Sequence, residues 1–214
     1  MKLFKIALVA FVFLVNLAIA QPSWADRPKL TQSPDYTEVT QSLDSLLKAK
    51  DAPNQSEYTP EEIQQKLGEL QLQKYILETA ADWGQCRNET GKTLAVYAHK
   101  ANKSNFSAAS TLYYLGNGKV TDDDWNCDGV YLTSGVKVAG LTPGDTQGQD
   151  LGEPVALKIV AGTQLVAKTN PATGAVEFNV PAAKVFKAGE GTWSIPNLSS
   201  ADVEAQTPNA PIED

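Results

Sequence analysis

The sequence predicts an α+β protein: an N-terminal helical hairpin followed by a small antiparallel β barrel or sandwich tied by one disulfide. Three observations carry that prediction. Apolar residues recur at helical spacing up to about Asp82, and the period shortens to two after Trp83-Gly84. Cys86 and Cys127 are the only cysteines, in a chain that begins like an exported one. An oxidising compartment and an even count predict that they pair.

The opening residues set the compartment. Met1-Lys2 and Lys5 give a short positive region, and Ile6 to Ala20 is apolar apart from Asn16. Ala18-Ile19-Ala20 and Ser23-Trp24-Ala25 are small-residue cleavage sites, so residues 1–25 read as a secretory signal peptide. The apolar run is shorter than the roughly 20 residues of a membrane span. Cleavage leaves about 190 residues, enough for one domain or two small ones. The net charge is −7, with no basic patch interleaved with aromatics, which argues against a nucleic-acid partner.

Residues 26–34 read as a polar linker. Tyr36, Val39, Leu43, Leu46 and Leu47 then fall at helical spacing, with Asp35 as the expected cap. Thr59-Pro60-Glu61-Glu62 is a capping box with proline at the first helical position. Ile63, Leu67, Leu70 and Leu77 form the stripe of the second helix, widened by Leu72 and Ile76. Residues 35–82 are therefore the hairpin, and residues 83–195 the β-rich part. There Leu94, Val96 and Ala98 alternate, and Asn117-Gly118 predicts a hairpin turn in "STLYYLGNGKVT". Residues 196–214 are acidic and proline-bearing, and predict a disordered tail.

The densest chemistry is "DDDWNCDG", residues 122–129. Asp124, Asn126 and Asp128, followed by Gly129, match the first half of an EF-hand loop, in which alternate oxygens wrap a hard cation. Gly135 stands where the bidentate glutamate belongs. The expectation is an acidic turn pinned by the Cys86–Cys127 disulfide, with no cofactor. A calcium-dependent structural protein using this turn is the alternative.

Catalytic patterns are sparse. Ser45 and Lys48 have the spacing of a serine acyl-enzyme pair without its companion motifs. Residues 88–93, "NETGKT", lack the first glycine of a phosphate loop. His99 is the only histidine, which excludes sites needing two imidazoles. It falls in "HKANKSN", where a surface position is expected. Glu78, Asp82 and Asp124 are the acids beside aromatic residues, and a small carboxylate-dependent cell-wall hydrolase is the second alternative.

Residues 86–120 resemble a bacterial SH3-type (SH3b-like) domain. Leu94-Ala95-Val96-Tyr97-Ala98 stands where that family has "LNVRS", with Tyr97 in place of the arginine, and Leu112 to Val120 stands where its next strand and turn lie. The "PSWA" ending of the leader resembles small exported proteins of cyanobacteria, implying the periplasm or the thylakoid lumen. The resemblance implies a non-enzymatic binding or adaptor role, with a cell-wall component or envelope protein as partner. Trp83, Tyr97, Tyr113, Tyr114 and Trp125 are the aromatic candidates for a recognition surface.

Overall fold

The computed structural model describes residues 28–51, 58–102, 106, 109–141 and 147–212. The leader, with its cleavage sites, lies outside the described residues. A 3-10 turn, Leu30–Gln32, leads into α1 (Pro34–Asp51) and α2 (Pro60–Thr79). The strands are β1 (Gln85–Glu89), β2 (Leu94–Lys100), β3 (Thr111–Leu115), β4 (Trp125–Leu132) and β5 (Lys137–Val138). They continue as β6 (Gln149–Asp150), β7 (Val155–Lys158), β8 (Gln164–Thr169), β9 (Val176–Phe178) and β10 (Lys184–Lys187), and a short α3 (Ser200–Glu204) follows.

The expected hairpin forms, with three local corrections. Thr59 and Glu62 make the full capping box of α2. At α1 the cap is Ser33, whose Oγ accepts from the Tyr36 N–H at 3.2 Å; Asp35 sits inside the first turn and reaches elsewhere. Leu72 is 39% exposed, off the buried stripe of Ile63, Leu67 and Leu77. Leu30, assigned to a linker, is buried among the hairpin side chains.

The β part is two five-stranded sheets that do not close into a barrel. Sheet 1 runs β1-β8-β9-β5-β6 and sheet 2 runs β10-β7-β4-β2-β3. Sheet 2 is wholly antiparallel. Sheet 1 contains two parallel pairings, β1 with β8 and β5 with β9. Between the sheets lie Leu94, Val96, Val130, Leu132, Leu157 and Leu165. The Cys86–Cys127 disulfide crosses this core, joining β1 to β4 with a Cα–Cα distance of 5.8 Å. Cys86 lies within a strand of sheet 1, so the bond ties sheet to sheet.

The Asn117-Gly118 turn is real but does not make the expected hairpin. Gly118 alone has a positive φ, 74°, and Lys119 N–H donates to Gly116 C=O at 3.2 Å. That is a type II turn, which needs a positive φ only at its third residue. It sends Val120 to bridge Arg87 instead of folding back on β3.

The tail is the largest correction. Every residue of β2 except Lys100 is buried, so both faces of this strand are covered. The outer face of sheet 2, carrying Ala95, Tyr97, Tyr131 and Ala156, is covered by Trp193, Ile195, Leu198 and Val203. The segment is also pinned by polar contacts. Tyr97 and Tyr131 hydroxyls donate to Ser194 and Pro196 carbonyls at 2.8 Å, Asn209 meets the Tyr114 N–H, and Thr121 bridges Ile212. Buried tyrosine faces supply the apolar area that the segment's own composition lacks.

Candidate functional site

The site grows from an irregularity in β4. Across the β2–β4 pair, Tyr97 opposes Gly129 and Ala98 opposes Cys127, so Asp128 is the extra residue of a β-bulge. Bulges re-aim side chains. Here Cys127 keeps its place in the core while the Asp128 carboxylate turns towards His99. Gly129 is obligatory for this packing: a Cβ there would lie 2.0 Å from the Leu157 carbonyl oxygen and 3.0 Å from the Trp193 ring.

Three donors converge on Asp128. His99 Nδ1 and Ser110 Oγ reach Oδ2 at 2.7 and 2.8 Å, and Asn126 Nδ2 reaches Oδ1 at 2.6 Å. Asn126 in turn accepts the Gly84 N–H at 2.9 Å. The hydrogen bond to Asp128 raises the His99 pKa above its ordinary value, against the opposing effect of burial. The carboxylate also fixes the ring, because Nδ1 must carry a proton to donate. Nε2 is then the free end. It is the one buried side-chain polar atom without a hydrogen-bond partner among the described residues.

Above this network is a cavity of about 430 Å³. Its far wall is the start of α1, where Asp35 Oδ1 meets Lys158 Nζ at 2.5 Å and Oδ2 accepts the Ala161 N–H at 3.1 Å. Trp83, Phe106 and Trp193 give apolar walls. Trp83 is tilted against Phe106 at 5.8 Å, and Trp193 is stacked on Tyr97 at 4.4 Å. Hairpin, sheet 2 and C-terminal segment all contribute. A larger hollow of about 680 Å³ beside Ser42 and Leu70 holds no such orphaned polar atom.

The aromatic candidates scatter. Trp83 lines the cavity at 8% exposure. Tyr97 is 1% exposed and lies under Trp193, where burial pushes its hydroxyl pKa well above the ordinary value. Tyr113 and Trp125 meet edge to face at 5.5 Å, partly buried. Tyr114 is partly buried beside the C-terminal segment. His99 is the converse case: it lies in a strand, 7% exposed, and not in a surface loop.

The calcium candidates separate as well. Asn126 and Asp128 are strand residues bonded to each other, and Asp128 also to His99, while Asp124 is exposed in the preceding turn. The carboxylates that come together are Asp122, Asp123 and Asp124, within 4.8 Å of one another. Glu78 belongs to the hairpin, accepting from the Tyr36 hydroxyl and pairing with Lys74, and Asp82 is exposed. Ser45 donates to the Gln41 carbonyl on the exposed side of α1. Set against known proteins, the chain matches no family, no curated protein and no solved structure.

Proposed function

We propose that this chain is an exported, non-enzymatic binding protein of the cell envelope that holds a small molecule in the cavity above His99 and Asp128. The observation that carries the reading is a concave site with aromatic walls and a few fixed, convergent polar groups, the usual form of a ligand site. Ser110 supports the non-catalytic part. It donates to Asp128 and not to His99 Nε2, so among the described residues no hydroxyl is hydrogen-bonded to the free end of the imidazole. The oriented His99–Asp128 pair favours one second reading, general acid–base catalysis on a bound molecule.

Both readings are tested on ¹⁵N-labelled mature protein with a set of small polar aromatic probes. Binding should shift the indole N–H signals of Trp83 and Trp193 and leave Trp125 in place. A set that moves neither indole, or moves Trp125 instead, overturns the cavity reading. Probes recovered unchanged support binding alone; turnover that disappears in His99→Gln supports catalysis.

A further inference from the structure

We infer that the ligand carries a small oxyanion, a carboxylate or phosphate on an apolar body, and that the oxyanion is received by His99 Nε2 and Lys158 Nζ. This rests on the cavity reading and adds the ligand's chemistry.

The argument is which hydrogen-bonding capacity the fold has left over. The titratable groups lining the cavity are Asp35 of α1, His99 of β2, Asp128 of β4 and Lys158 of β7. Every carboxylate oxygen is already engaged. Asp128 Oδ1 takes Asn126, and Oδ2 takes His99 and Ser110. Asp35 Oδ1 takes Lys158, and Oδ2 takes the Ala161 N–H. The donors are not exhausted. The Lys158 ammonium has three protons, and Asp35 is its one acceptor among the described residues. When protonated, His99 gives one proton to Asp128, and its Nε2–H is then buried with no acceptor among the described residues. A buried donor without a partner keeps its desolvation cost uncompensated, so with His99 protonated the site is short of an acceptor.

Charge points the same way. The two acids are balanced by Lys158 and His99, and the 18-residue α1 begins at the cavity, with Pro34 and Asp35 in its lining. The positive end of the helix dipole adds to the potential there. An oxyanion supplies acceptors without displacing any existing bond, while its apolar body meets Trp83 and Trp193.

The test uses the chain's single histidine, whose imidazole ¹H–¹⁵N signals are unambiguous. Wild-type mature protein is titrated with benzoate, with phenyl phosphate, and with neutral benzamide as the shape control. Expected is a shift of the His99 Nε2 signal with benzoate or phenyl phosphate, whichever headgroup fits, and a rise in the His99 pKa on binding. Affinity for that probe should fall about tenfold per pH unit above the free His99 pKa, because the competent form becomes scarce. His99→Gln should weaken it while sparing benzamide. If benzamide binds equally well, moving the Trp83 and Trp193 signals, the cavity reading stands and the oxyanion inference falls. If neither anion moves His99 while the neutral probe binds, it falls too. If no probe moves any of these signals, the cavity reading itself has failed.

Discussion

Asp124 and Asp128 are four residues apart and live in opposite environments. Asp124 sits in an exposed turn, its N–H donating to the Asp122 carboxylate at 2.8 Å, with three carboxylates facing one another in water. Asp128 is enclosed and takes three hydrogen bonds. The residue type is the same; the difference is one turn against one bulge. At the turn, charge is cheap because solvent screens it. In the strand, charge persists only because each oxygen has a donor. Density of acidic residues therefore marks the place where chemistry is least constrained, and the enclosed acid next to it is the one built into a network.

The largest way to break this contrast is through the core beneath it. The Cys86→Ala/Cys127→Ala variant should lose about 2–5 kcal/mol of stability, read from chemical denaturation against the oxidised wild type. A loss below about 0.5 kcal/mol would mean that β4 is held to sheet 1 by packing alone.

A sharper comparison sets Asp128→Asn beside Asp124→Ala. The first turns an acceptor of three bonds into a group with its own donors, and should cost about 1–3 kcal/mol. The second should stay within about 0.5 kcal/mol. Equal effects would erase the distinction. The pH dependence follows from the sign of the His99 shift. Its pKa is raised above 6.5 in the folded state. The stabilisation is therefore fully present below 6.5 and is lost as pH rises through the folded value. The gap between wild type and Asp128→Asn should narrow over that interval; denaturant midpoints that stay parallel with pH contradict it.

The smallest expected effect is calcium binding at Asp122, Asp123 and Asp124. With one ligand oxygen from each, the three carboxylates supply three of the six to eight oxygens that the ion prefers, and recruiting Asp128 would break its bonds to His99 and Ser110. Isothermal titration at physiological ionic strength should stay silent below millimolar calcium, in wild type and in Asp124→Ala alike. Micromolar affinity lost in Asp124→Ala would restore the calcium alternative.

By itself the sequence determined what depends on neighbours along the chain. The Thr59–Glu62 capping box, the apolar spacing of α1 and α2, the change to strand period after Trp83-Gly84 and the oxidation of two cysteines are all local or compositional signals. Trp83, one of its aromatic candidates, lines the cavity, and one legible sign of His99 was missed: in Ala95-x-Tyr97-x-His99 the histidine shares the face of Ala95 and Tyr97. That face reads as solvent-exposed until something covers it. What covers it is the segment from Trp193 to Ile212, whose polar, proline-bearing composition predicts disorder because it has little apolar surface of its own to bury. Tertiary structure decided the matter by lending it the tyrosine face of sheet 2. The same long-range packing converts His99 from a surface residue into a buried donor. The bulge that aims Asp128 is likewise not local: it arises where β4 must keep Cys127 in the core and still pair with both β2 and β7, a constraint that exists only once the sheet is assembled.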